Sequence, residues 1–270
     1  MTGYALPPSN EHAFYSQASI NNSLVRSTFA DIRNLKTFKM EMQAAEPSIV
    51  VHMAAQPLVI DSYSDPIKTY STNVMGTVNM FEAVRSSPSV KAILNITTDK
   101  CYENNGQLLG YKENDPIGGH DPYSSSKGCA ELVSATYQKS FFHESSIALA
   151  TVRAGNVIGG GDWSKNRIIP DAMRAFANHK KLLVRNPNSI RPWQHVLEPL
   201  FGYLILCQKL IKNNDIYSGP WNFGPNEEDA KSVSVIADIM ADSWGDNAQW
   251  QVDDNAHPHE ASYLKLDCNK

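Results

Sequence analysis

The sequence predicts an α/β protein: a doubly wound, mostly parallel sheet over residues 1–155, followed by a smaller α/β lobe over residues 156–270. Three observations predict it. Continuous apolar runs at Ser48–Ala54, Val90–Thr97 and Ile147–Arg153 read as strands buried on both faces, as parallel strands are. Stretches of helical period, roughly 15–20 residues each, separate them, which is the signature of βαβ units. Beyond Gly155 the texture changes to shorter elements joined by longer loops.

Each element has a local cause. Asp65 is suited to cap a helix and Pro66 to its first turn, so a long helix runs from there to about Ser87 and stops at Pro88. After the Val90–Thr97 strand, a polar Gly/Asn loop reaches His120, and a helix follows from about Pro122 to Lys139. In the second half, Gly159–Trp163 reads as a loop. Pro170–His179, Val196–Lys212 and Ser232–Ser243 read as helices, and Trp221–Pro225 as a short strand running into a loop. A lobe so placed would close over the carboxyl edge of the sheet, where ligands bind in open α/β folds.

Composition bounds the function. The chain has 270 residues, is 42% hydrophobic and 19% charged, and carries a net charge of −4, which disfavours nucleic acid as a partner. The longest apolar run, Val196–Cys207, contains Glu198 and Pro199 and falls far short of the ~20 residues a membrane span needs, so a cytoplasmic protein without a membrane partner is expected. The four cysteines form no Cys-x-x-Cys pair, and His257-x-His259-Glu260 lacks the spacing of a zinc site, so no metal is expected.

Two clusters carry chemistry. Tyr123-Ser124-Ser125-Ser126-Lys127 sets a phenol and an ammonium one helical turn apart, and a fixed cation there would favour the phenolate. That spacing is weak evidence alone. Upstream, however, a buried strand ends in Thr97-Thr98-Asp99-Lys100, where a carboxylate and an amine could serve two different protons.

In these residues the chain resembles the extended short-chain dehydrogenase/reductases that act on nucleotide sugars. The resemblance rests on Val51–Val59, Asn73–Thr77, Thr98–Asn104, Asp121–Leu132, Gly155–Trp163, Arg191–Pro199, Trp221–Pro225 and His259–Ala261, and it spans the whole chain. Lys100, followed by Cys-Tyr-Glu-Asn, is similar to the CDP-glucose branch of the 4,6-dehydratases, where other branches place glutamate. A GDP-mannose dehydratase or a nucleotide-sugar epimerase is the alternative within the family.

The resemblance implies a Rossmann-like fold, NAD as cofactor and CDP-glucose as substrate. Tyr123 would take the 4-hydroxyl proton, Lys127 would hold the nicotinamide ribose and lower the tyrosine pKa, and Thr98 would bond the 4-oxygen. Asp99 would be the acid for the 6-hydroxyl and Lys100 the base. Asp31, Ile32, Ala54, Ala55, Gln56 and Asn73 would line the cofactor, although Asn73 suits a buried helix-to-helix bond equally well. Asn156 and Arg191 would meet the substrate phosphates. Ile60 departs from a position that is commonly basic. Relatives dimerise, so a homodimer or higher homo-oligomer is implied, with Glu82, Cys129, Val133 and Tyr137 near that face.

The sequence contains no Gly-x-x-Gly-x-x-Gly turn and opens on Gly3–Pro8, which resembles the family's second strand. A sheet incomplete at its N-terminus, a shortened C-terminus and weak NAD binding are therefore expected. A catalytically impaired fragment keeping only the fold or a protein–protein contact surface is the reading from another class.

Overall fold

The structure, a computed structural model, describes residues 1–8 and 11–270. Its strands are β1 (Thr2–Ala5), β2 (Arg26–Phe29), β3 (Ile49–His52), β4 (Ala92–Ile96), β5 (Ala148–Ala154), β6 (Asn156–Ile158), β7 (Leu182–Val184), β8 (Ile190–His195), β9 (Gly219–Phe223), β10 (Ala230–Ser232) and β11 (Trp250–Val252). Four form one parallel sheet in the order β3-β4-β5-β9, with Val51 opposite Leu94 and Asn95 opposite Thr151. β1 and β2 pair in parallel as a separate ribbon, Tyr4 opposite Thr28. Among the described residues, neither β1 nor β3 has a second strand partner.

Helices cover both faces of the four-stranded sheet because successive apolar residues of its strands point to opposite faces. Ile93 and Leu149 face one side, where Met80, Phe81 and Val84 of the helix Gly76–Arg85 pack with Ile32, Phe38 and Met42. That core also takes in Tyr4 of β1, so it joins the ribbon to the sheet. Phe81 is fully buried at its centre, and truncating it to alanine would cost roughly 3–5 kcal/mol. On the other side, Ala92, Leu94, Ala150 and Val152 meet Tyr203, Leu206, Cys207 and Leu210 of the helix Leu197–Lys212.

That helix and β9 follow residue 156 in sequence yet build the first layer system. The division read from texture at 155/156 is therefore crossed by a return of the chain, which supplies the apolar cover β4 and β5 require. The remaining second-half elements form the smaller lobe, with β10-β8-β6 as one sheet and β11-β7 as another. Its core is Ala172, Phe176, Leu182, Val184 and Ala237.

The long helix begins where Asp65 accepts from the Lys68 amide with Pro66 in the first turn, and it passes through a π-helical turn, Ser71–Met75, before continuing to Arg85. The helix Pro122–Tyr137 starts the same way, with Asp121 accepting from the Ser124 amide at 2.9 Å. Gly119 just before it has φ +128, and a Cβ there would lie 2.3 Å from the Ser125 nitrogen, so only glycine admits this close approach.

Candidate active site

The carboxyl end of β4 turns sharply at Thr98. Its backbone is extended, and its hydroxyl caps a 3-10 turn, Asp99–Cys101, by accepting from the Lys100 amide at 3.4 Å. The same hydroxyl donates to Asp99 Oδ1 at 3.0 Å. Asp99 is 2% exposed, and its other oxygen, Oδ2, is buried with no hydrogen-bond partner. An orphaned carboxylate oxygen is costly unless something arrives to meet it.

Facing this turn is the N-terminal end of the helix Pro122–Tyr137. Tyr123 is anchored there by its own amide, which donates to Ser62 Oγ at 3.1 Å, and its hydroxyl shares a hydrogen bond with Thr98. Lys127, one turn on, is buried and donates from Nζ to the Ile96 carbonyl at 3.0 Å.

A cavity of about 750 Å³ opens between the sheet edge and the smaller lobe. Thr98, Asp99, Lys100, Tyr123, Asn156 and Arg191 all line it, together with Ile60 and the Gly159–Gly161 loop. Arg191 is 5% exposed, and its guanidinium is spread over the Ile190 and Ala261 carbonyls.

Burial sets the electrostatics. It raises the Asp99 carboxyl above the usual range against the pull of Lys100 and Thr98. It lowers the Lys100 amine, helped by the Arg191 cation and opposed by Asp99. A neutral lysine needs a desolvated or cation-flanked place, and this one is both. Burial also brings Lys127 down to about 8, opposed by Glu131 and Cys101.

Tyr123 departs from expectation. Burial pushes its phenol up to about 12, opposed chiefly by the Thr98 hydrogen bond. Burial outweighs the depression expected from a cation one turn away, and the Lys127 ammonium is turned to the end of β4.

The residues expected around a cofactor lie elsewhere and do not line the cavity, Tyr123 excepted. Asp31, after β2, holds Arg33 in a fork at 2.6–3.0 Å, which keeps its carboxyl low. Ile32 is a core side chain packed against Gly76. Ala54 and Ala55 follow β3 and are half-buried. Asn73 is 2% exposed and fully engaged: it accepts from the Gln56 amide at 2.7 Å and donates to the Gln56 carbonyl and Ser126 Oγ. Its bonds are those of a buried tether that fixes the loop after β3.

Sequence reasoning gave no role to Arg185 and Glu260, which pair at 3.0 Å in the cavity wall. Nor did it give one to Glu131, Arg153 and Tyr102 beneath the turn. Arg153 carried a signal, a charge closing an otherwise apolar strand; Glu131 carried none beyond the run it belongs to.

The profile of the GDP-mannose 4,6 dehydratase family matches residues 9–220. The chain belongs to this family of nucleotide-sugar 4,6-dehydratases. It is 52% identical over 273 aligned residues to the CDP-glucose 4,6-dehydratase of Salmonella typhimurium, covering 99% of this chain and 76% of that protein. Identity to the dTDP-D-glucose 4,6-dehydratase of Dictyostelium discoideum is 27%, over 60% of this chain and 38% of the other.

Solved structures carry the same fold. A dTDP-glucose 4,6-dehydratase from Streptomyces venezuelae with NAD bound superposes with a TM-score of 0.77 at 17% identity, over 99% of this chain and 88% of that one. A UDP-glucuronic acid 4-epimerase from Bacillus cereus, also with NAD, gives 0.80 at 18%, over 100% and 91%. Family membership and fold therefore agree with the turn-and-tyrosine geometry.

Proposed function

We propose that this chain converts CDP-glucose to CDP-4-keto-6-deoxyglucose, using NAD as an internally recycled cofactor. The observation that carries the reading is the meeting of Asp99, with its unpartnered buried oxygen, Lys100 and Tyr123 on one cavity wall. The 52% identity to a CDP-glucose 4,6-dehydratase supports the choice of nucleotide.

The chain's own residues divide the protons. Tyr123, as its phenolate and against the upward push of burial, takes the proton of the sugar 4-hydroxyl, with Thr98 bonding the same oxygen. Once carbon 4 is a ketone, the carbon 5 proton is acidic; Lys100, its amine pushed downward by burial, removes that proton and gives it back to carbon 5 when carbon 6 is reduced. Asp99, whose carboxyl burial pushes upward, gives its proton to the departing 6-hydroxyl. Asn156 and Arg191 hold the diphosphate, a planar fork being suited to it.

The donor set fits NAD in part. Tyr123 and Lys127 stand where a nicotinamide ribose would lie, the small Ala54 and Ala55 leave backbone open after β3, and the Asp31 carboxylate offers an acceptor after β2, with Ile32, Gln56 and Asn73 shaping the walls between. Bound there, NAD would supply the hydride acceptor and donor of the internal redox cycle. No glycine turn in the sequence receives the pyrophosphate, so calorimetry should find binding weaker than micromolar. A homodimer through the 66–85 helix and the Tyr123 helix belongs to the same reading. Exposed Leu132 and Met75 lie on those elements, whereas Val133 and Tyr137 pack into the core and Tyr137 bonds Glu82 at 2.8 Å.

The test is incubation with CDP-glucose and saturating NAD, alongside GDP-mannose and UDP-glucose. The expected outcome is a CDP-sugar lighter by one water, formed without added reductant. A product requiring stoichiometric reduced nicotinamide, or a preference for another nucleotide, overturns the proposal.

A further inference from the structure

Beneath the Thr98–Cys101 turn lies a buried ion pair whose residues do not line the cavity described above. Glu131 and Arg153 are 5% and 3% exposed, and the Glu131 Oε2 to Arg153 Nη2 distance is 2.8 Å. Replacing such a pair with apolar residues is often neutral or stabilising, so stability alone gives little reason for it. Its other bonds suggest a different purpose.

Glu131 Oε1 accepts from the hydroxyl of Thr97, and Oε2 also accepts from Thr151 at 2.7 Å. Arg153 Nη1 donates at 2.8 Å to the hydroxyl of Tyr102, whose ring lies beneath the guanidinium at 4.8 Å. Tyr102 in turn donates to Asn222 Oδ1 of β9 at 2.6 Å. Thr97 and Tyr102 are the residues immediately before and after the turn. Glu131 lies four residues beyond Lys127 and eight beyond Tyr123, on the same helix face.

We infer that Glu131 is a positioning residue: paired with Arg153, it grips both flanks of the Thr98–Cys101 turn and locks that turn to the helix carrying Tyr123. The pair fixes a distance between two halves of the site that are about 25 residues apart in the chain, and an error of about 1 Å there can cost a hundredfold in rate. The inference rests on the proposed dehydration, because only that reading gives Asp99 and Lys100 work that demands such fixing.

Glu131→Gln strands the Arg153 charge and risks misfolding, so Thr97→Val, which removes one hydroxyl, is the principal variant. Ser134→Ala is the control: it removes a buried bond, Asn95 Nδ2 to Ser134 Oγ at 2.9 Å, between the same strand and helix. Hydrogen–deuterium exchange of the peptide spanning 98–102 and steady-state kinetics with CDP-glucose are measured on all three chains. In Thr97→Val, exchange should be about tenfold faster and kcat about tenfold lower, with KM within about twofold; Ser134→Ala should change neither. Unchanged exchange in Thr97→Val, or equal effects in Ser134→Ala, overturns the inference. A wild-type chain that does not turn over CDP-glucose defeats the functional reading, while exchange alone still decides whether the turn is gripped.

Discussion

The carboxyl end of β4 and the carboxyl ends of β1 to β3 are both polar, yet they are built on opposite principles. At β4, Thr98, Asp99, Tyr123 and Lys127 are each under 9% exposed, and their bonding partners come from three separate elements. At β2, the Asp31–Arg33 fork is local and open, with side chains 30% and 44% exposed. The difference teaches where proton chemistry can reside. Burial moves Asp99, Lys100 and Lys127, whereas the shift at Asp31 comes chiefly from its Arg33 partner, so the proposed reading puts proton transfer at β4. Groups that need only to touch a ligand can stay wet.

Substitutions should reproduce that asymmetry. The largest effect is expected for Tyr123→Phe, which removes the hydroxyl bonded to Thr98: kcat for dehydration should fall about 10³-fold with the fold intact by circular dichroism. A loss under about tenfold would break the comparison, since the buried side would then carry no more chemistry than the exposed one. Asp99→Asn should follow, with a kcat loss of about 10²-fold and little change in KM. The amide keeps the shape beside Thr98 but has no acidic proton to give.

The pH profile sharpens the contrast. Lys127, brought down to about 8, loses its ammonium above that pH, so kcat should decline by about tenfold per pH unit on the alkaline side. The same shift acts on stability in the opposite sense. Between about 8 and the ordinary 10.5 the unfolded chain holds the extra proton, so this group makes folding more favourable as pH rises.

On the exposed side, Asp31→Asn should weaken NAD about tenfold by calorimetry and leave kcat at saturating NAD unchanged. The smallest effect belongs to His52, buried against Thr77 at 3.2 Å. Burial, with a contribution from Lys127, takes its pKa to about 3. Between about 3 and 6.5 only the unfolded chain binds this proton, so stability should fall by about 1 kcal/mol per pH unit below 6.5. Denaturant titrations should show that slope reduced in His52→Gln.

Much of this protein was legible in its residues. Continuous apolar runs marked β3, β4 and β5; β4 and β5 are buried on both faces as such runs imply, whereas β3 lies at the sheet edge and leaves Val51 exposed. Asp65-Pro66 and Asp121-Pro122 marked helix starts by capping chemistry that acts within four residues. Thr98-Asp99-Lys100 and Tyr123-x-x-x-Lys127 were visible as clusters for the same reason: their parts are neighbours in sequence.

Tertiary structure decided what depends on distant neighbours. It decided that residues 197–223 return to cover the first sheet, and that Asn73 is spent on the Gln56 peptide. It also decided that Lys127 turns to Ile96 and leaves Tyr123 raised. Above all it decided the directions in which Asp99 and Lys100 are shifted. A side chain's identity sets its ordinary pKa, but the water removed and the charges brought near by Arg191 and the opposing helix set the working one. Those neighbours lie from about 20 to 90 residues away along the chain, beyond the reach of any local pattern.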